Sequence, residues 1–236
     1  MKKTIHRSEN RGHVNHGWLK ATHSFSFARY YNPEMMGFGL LRVLNDDIIE
    51  AGTGFGTHPH DNMEIVTVPI TGALEHMDST GHKEVIRAND VQIMSAGSGL
   101  THSEYNHSKT EIANILQLWI MPKEQDIEPR YDQKTLDGKA IKNKVLMVVS
   151  PERTDSTMWI NQDAYISLSE LDAQNAIVYE MKKKGNGVYV FLVEGKLTVA
   201  EEILNKRDAI GVEGVDTFAV IAEENSRILF VEVPME

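Results

Sequence analysis

A short apolar run, a glycine turn and a second apolar run occur twice in this chain, and that repeat limits what it can fold into. The first copy passes from Glu64-Ile-Val-Thr-Val-Pro-Ile70 through Thr71-Gly72 to Ala73-Leu-Glu-His-Met77. The second is Gly187-Val-Tyr-Val-Phe-Leu-Val193, then Glu194-Gly195, then Lys196-Leu-Thr-Val199. Asp90-Val-Gln-Ile follows the first copy and Asp208-Ala-Ile-Gly the second, while the apolar stretch 228–233 closes the set. Many short runs divided by Gly, Asn and Asp, with few helical patterns, predict an all-β chain of antiparallel strands in two small tandem barrels. The apolar stretch 112–121 would close the first barrel. Residues 122–144 hold two prolines and a dense set of charges, the composition of a segment that crosses between domains. The expected division is therefore 1–124, a linker over 125–144, and 145–236.

The first repeat carries chemistry. Side chains two apart on a strand share a face, so His58 and His60 point one way, and His102 and Glu104 do the same on a second strand. Two such pairs on neighbouring strands aim four donors at one point. Three neutral imidazoles and a carboxylate suit a divalent transition metal, whether Fe, Mn, Ni, Cu or Zn. Four ligands leave two positions of an octahedral ion open, which is the mark of a reactive site and not a structural one. Glu64 has the parity of His58 and His60 and also reads as facing inward. Glycines 52, 54 and 56 allow sharp turns near a buried site; no Lys-Ser/Thr or helix start follows them, so a phosphate cradle is disfavoured.

These residues, in this order, resemble the cupin motifs. Gly52, His58-Pro-His60, Glu64 and Gly72 match the first motif with one extra residue before the last glycine. The second is altered: Asn89-Asp90 replaces Gly-Asp, Ser95 replaces a proline, and two further residues precede His102. That altered motif, Met94-Ser-Ala-Gly-Ser-Gly-Leu-Thr-His102-Ser-Glu104, is similar to that of the pirin family, whose members have two cupin domains. The resemblance runs from Gly17-Trp18-Leu19 to the C-terminal strands. It implies a bicupin of two tandem jelly-roll barrels, the first binding one divalent metal, iron(II) before the alternatives, through His58, His60, His102 and Glu104. It also implies dioxygenase activity of the quercetin 2,3-dioxygenase type. In that chemistry a small aromatic flavonol loses a proton to a carboxylate, here Glu104, and reacts with oxygen to open its ring and release carbon monoxide. The alternative carried by the same resemblance is a metal- or redox-responsive regulator that binds a protein partner with little turnover. On the pirin assignment Glu104 is the metal ligand and Glu64 stands outside it, orienting a ligand histidine; His76 is a second group placed to do the same.

The second repeat keeps the shape without the donors. All ten histidines lie at or before His107. Superimposing Gly195 on Gly72 sets Met181 and Lys183 in place of His58 and His60, and superimposing Asp208 on Asp90 sets Val220 and Ala222 near His102 and Glu104. One metal per chain is therefore expected. His6, His13, His16 and His23 share no strand face and predict no second site; His23, Phe25 and Phe27 alternate as a half-buried strand. The segment 167–172 reads equally as a strand edge or a turn.

Net charge is −10, from 34 acidic and 24 basic residues, and the chain contains no cysteine. Neither half has the basic excess of a direct nucleic-acid binder, and Lys182-Lys183-Lys184 reads as a solvated hairpin turn. No apolar run approaches the ~20 residues of a membrane span, and Met-Lys-Lys-Thr lacks a signal peptide's apolar stretch. A cytoplasmic monomer is expected.

Overall fold

A computed structural model describes residues 1–236. The chain is all-β, its only helices being two single 3₁₀ turns at Ser8–Asn10 and Gly138–Ala140; no helix is long and apolar enough to cross a membrane. The strands form two tandem units, each a seven-stranded sheet facing a four-stranded one. In the first, strands Gly54–His60, Leu100–Asn106, Ala73–Asp78 and Lys83–Arg87 lie side by side in that order. The facing sheet runs Arg130–Thr135, Asp90–Ser95, Glu64–Thr71, Ala113–Ile120, Leu41–Ile49, Leu19–His23, Gly12–Asn15. The second unit repeats this plan, with Ala176–Glu180, Thr217–Ala222, Lys196–Val199 and Glu202–Asn205 as its smaller sheet.

Closed barrels were expected, and neither unit closes. Each pair of sheets is held by side chains interdigitating between two faces, as in a sandwich, and not by one continuous ladder. The 113–120 strand, expected at a closing edge, lies centrally between Glu64–Thr71 and Leu41–Ile49. Two segments also sit outside the linear division. Lys2–His6 pairs with Ala209–Glu213 and so adds a strand to the C-terminal sheet. Arg130–Thr135, assigned to the linker, pairs with Asp90–Ser95 as an edge strand of the N-terminal sheet. Sequence pattern shows that a strand exists but not which ladder it joins.

The two seven-stranded sheets are packed together by the largest apolar cluster, 27 buried residues that include Val66, Val68, Leu116 and Leu118 from the first unit and Phe191, Leu229 and Val231 from the second. Phe38 fits there because glycines make room: a Cβ at Gly211 would lie 2.3 Å from its ring. Alternation then sends the opposite parity of each strand into its own unit's interior. In the second unit that interior is a continuous cluster of 16 buried apolar residues. In the first it is broken into clusters of five and four, and polar groups occupy the space between.

Candidate metal centre

His58 and His102 are directly opposed in the ladder between Gly54–His60 and Leu100–Asn106. Their Nε2 atoms stand 3.0 Å apart, and His60 completes the group at ring-centroid distances of 4.9 Å from each. His58 Nδ1–H donates to the Gly56 carbonyl at 2.8 Å. A carbonyl only accepts, so Nδ1 carries the proton and Nε2 presents its lone pair. That lone pair accepts from His102 Nε2–H at 3.0 Å or, with the His102 proton moved to its partnerless Nδ1, the two nitrogens together face a cation. Cis positions of an octahedral ion with ~2.1 Å metal–nitrogen bonds lie ~3.0 Å apart, against ~3.4 Å for a tetrahedral ion. The observed spacing therefore fits two neighbouring positions of an octahedral divalent ion.

The electrostatics point the same way. Burial, then His58 and His76, hold the His102 imidazole down at about 3. Burial, then His102 and His58, hold His60 at about 4. Both rings stay neutral at physiological pH and need lose no proton to bind a metal.

Glu104 does not join the three histidines directly. Its strand shifts register against Gly54–His60 between His102 and Glu104, pairing Glu104 with Phe55. The extra residue lies in Gly54–His60, while Leu100–Asn106 pairs regularly with Ala73–Asp78, so Glu104 keeps the face of His102 and stands opposite His76 on the other side. The resulting donor groups are His58, His60 and His102 on one side and His76, His102 and Glu104 on the other, with His102 common to both. His76 is fully buried and donates Nε2–H to Asp78 Oδ2 at 3.0 Å. Burial alone would raise Asp78, but hydrogen bonds from Thr80, His76 and the backbone of His82 and Thr80 hold it at about 2. The Nδ1 atoms of His76 and His102 are both buried without a partner, on rings 5.3 Å apart. With a metal on His102 Nε2, its Nδ1 would carry the proton, and His76 would offer the lone pair on that side. Asp78 and His76 thus stand where supports of a ligand histidine stand.

Glu64 is placed elsewhere. Its strand begins after the turn at Asp61–Met63, where Asn62 has φ of 45°, and parity does not survive a turn. Glu64 shares its face with Val66, Val68 and Ile70, all in the inter-domain cluster. Glu64 Oε2 accepts from Ser95 Oγ at 2.8 Å and from Asn161 N–H of the second unit at 3.2 Å. Burial pushes its carboxyl up. It orients no histidine.

The support that sequence reading missed is Gln117. Its Nε2 donates to Glu104 Oε2 at 2.9 Å, and its Oε1 accepts from Trp119 Nε1 at 3.2 Å. Trp119-Gln117 alternates inward on Ala113–Ile120, the one signal that could have marked it. Gln117→Leu is expected to weaken metal binding ~10–100-fold with the fold intact, as read by metal titration and circular dichroism.

A cavity of roughly 200 Å³ adjoins the centre, bounded by Phe27, Phe55, Trp119, His58, His60 and Glu104 among others. The second unit has no equivalent. Counting by strand register from Gly72 and Gly195, Tyr179 and Phe218 stand where His58 and His102 stand, and Val220 where Glu104 stands. This displaces Met181, Lys183 and Ala222, the counterparts expected by superimposing the sequences. Tyr179 and Phe218 stack at 5.4 Å inside the apolar cluster. The second interior is filled where the first is hollow.

Comparison with known proteins is consistent along the whole length. Residues 4–120 match the family model described as Pirin, and residues 147–233 match the Quercetinase C-terminal cupin domain. A quercetin 2,3-dioxygenase of Escherichia coli K12 is 42% identical over 230 residues, 98% of each chain. A pirin-like protein of Caulobacter vibrioides is 38% identical over 222 residues, 94% of this chain and 95% of that one. Among solved structures, the E. coli bacterial pirin YhhW in complex with nickel(II) superimposes with a TM-score of 0.93 at 39% identity, covering 99% of both chains.

Proposed function

Because the chain belongs to the pirin family of two-domain cupins, we propose that it is a metal-dependent dioxygenase that opens the ring of a flavonol such as quercetin. The single observation that carries the reading is the convergence of His58, His60 and His102, ligand atoms within 4.8 Å of one another, beside a small aromatic-lined cavity. In the proposal His58, His60, His102 and Glu104 hold one divalent metal. Iron(II) is the ion we favour; the nickel(II) complex of YhhW shows that a bacterial relative accepts another. A bound ion of this kind supplies Lewis-acid polarisation and a template for substrate and oxygen.

The chain's own residues do the rest. Phe27, Phe55 and Trp119 grip a flat ring and exclude water from it. Gln117 pins Glu104 Oε2, leaving Oε1 without a protein partner, and that oxygen takes the proton of the substrate's enolic hydroxyl. The electron-rich enolate then takes up both atoms of oxygen, two ring carbon–carbon bonds break, and carbon monoxide leaves; the other product is an ester bearing a new carboxylate, which takes the proton back from Glu104. Asp78 and His76 hold the imidazole of His102 in one orientation throughout.

Iron-loaded protein given quercetin in aerated buffer is expected to consume oxygen and release carbon monoxide. The His58→Ala variant, loaded in the same way, should do neither. Absence of oxygen uptake with every metal tested would sink the dioxygenase reading and leave the partner-binding alternative in its place.

A further inference from the structure

The floor of the cavity is a polar row set in an apolar sheet. Gln117, Asn45 and His23 lie side by side on three neighbouring strands, Gln117 paired with Asn45 and Asn45 with His23. Asp47 follows Asn45 by two residues and so shares its face. Most of these groups satisfy one another. His23 Nδ1 meets Asn45 Oδ1 at 2.8 Å, and the Gln117 amide is used by Glu104 and Trp119. Asp47 is the exception. Its backbone carbonyl accepts from Asn114, but its carboxyl accepts nothing, and Oδ1 is buried without a partner on a residue only 4% exposed. A buried carboxyl in that state has lost its water without gaining a partner, a cost that a ligand donor would relieve. Asn45, its oxygen turned to His23, keeps its amide N–H groups free beside it.

We propose that Asp47 and Asn45 read a hydroxyl group on the ring that enters this cavity, Asp47 accepting the hydroxyl hydrogen and Asn45 Nδ2 donating to the hydroxyl oxygen. The inference rests on the reading of this site as one for an electron-rich aromatic. It adds the selection rule: the molecule must be a phenol or enol carrying a second hydroxyl besides the one whose proton Glu104 removes. A cavity of roughly 200 Å³ is smaller than the ~300–1,000 Å³ of sites that enclose a drug-sized ligand. It takes one ring with its nearest substituents and leaves the remainder of a larger molecule at the aromatic mouth, so the hydroxyl being read lies next to the reacting ring, as do the 5-hydroxyl of quercetin and the hydroxymethyl of kojic acid.

The test is anaerobic calorimetric titration of metal-loaded protein with quercetin, with kojic acid, and with flavone, which has the flavonol skeleton but no hydroxyl. Asp47→Leu and Asp47→Ala should each weaken the two hydroxylated probes up to roughly 10-fold, as for loss of a buried hydrogen bond. Flavone affinity and metal content should be unchanged. Asp47→Leu keeps the volume without the acceptor and carries the test if the alanine variant does not fold. Unchanged binding of the hydroxylated probes overturns the inference, and so does equal weakening of flavone. Loss of metal from either variant overturns it too, by making Asp47 part of the metal's own shell. If quercetin does not bind while kojic acid binds in an Asp47-dependent way, the flavonol substrate fails and the hydroxyl reader stands. If no hydroxylated probe binds, both fail.

Discussion

His102→Ala is expected to lower metal affinity on the order of 100-fold or more and to abolish any oxygen uptake. The size follows from the apparent 10–16 kcal/mol with which four ligands hold a structural zinc ion, about 3 kcal/mol per ligand. His102 should reach at least that, because it alone belongs to both donor groups and its Nε2 is the atom that faces His58. Removing His58 breaks one group; removing His102 breaks both. The same variant has a second signature in the metal-free protein. Burial holds His102 at about 3 when folded, whereas the unfolded chain protonates it near 6.5. A lowered folded value means the unfolded state binds more protons between those limits, so stability falls as pH drops from about 6.5 toward about 3. His60, held at about 4, adds to the slope. His102→Ala should flatten it by a few kcal/mol in urea unfolding at pH 7 and pH 4 with chelator present. A variant that keeps its metal, or an unchanged acid slope, would show that His102 is not the pivot of the site.

Asp47 works in the opposite sense. Burial, then Asp46 and Glu104, push its carboxyl up to about 8, so its contribution to stability is present below the unfolded value and is lost as pH rises toward 8. The first unit is thus built to hold neutral imidazoles and an uncharged carboxyl in one hollow, the reverse of a stability-optimised interior. The second unit, with the same strands and an apolar filling, shows what the scaffold becomes without that demand.

Much of this was legible from residues alone. The period of two placed His58 with His60 and His102 with Glu104 on their strands, and the twofold repeat with all histidines in its first half marked one unit as the reactive one. Three things were not legible, each for a physical reason. Parity stops at a turn, so the inward reading of Glu64 failed across Asn62. A one-residue bulge is silent in sequence, so the register slip in Gly54–His60 that sets Glu104 opposite Phe55 could not be foreseen. Ladder membership depends on long-range pairing, which hid the transfer of Lys2–His6 to the far sheet and of Arg130–Thr135 to the near one. The ambiguous 167–172 segment proved to lie mostly within a central strand, Tyr165–Leu171, paired with Ser226–Pro234 on one side. Its Ser167 and Ser169 are buried polar residues that make a strand look like a turn.

Glu64→Ala is expected to destabilise the protein by about 3–5 kcal/mol while leaving metal affinity within twofold of wild type. Motif position alone would make Glu64 a ligand, yet its contacts all belong to the junction between the two units. Its Oε2 receives Ser95 Oγ and the Asn161 N–H. Arg130 lies close enough for its charge to favour the Glu64 carboxylate, and it donates at 2.7 Å to the Trp159 carbonyl across the same junction. Alanine would leave the Asn161 N–H unpaired, remove one of the two acidic groups beside the Arg130 guanidinium, Asp132 at 3.8 Å being the other, and open a hole at a site 1% exposed. Breaking a buried pair from one side costs about 3–5 kcal/mol. At the ~2–4 °C per kcal/mol usual for chains of this length, the melting temperature should drop by roughly 10 °C. Glu64→Gln separates charge from shape: it copies the protonated form that burial favours and keeps an acceptor for the Asn161 N–H, so it should lose much less. Glu104→Ala should show the mirror image, with metal binding gone and the metal-free melting temperature little changed. Paired thermal melts and metal titrations of the three variants decide the matter. If Glu64→Ala empties the site at an unchanged melting temperature, the carboxylate belongs to the metal after all and the junction does not depend on it.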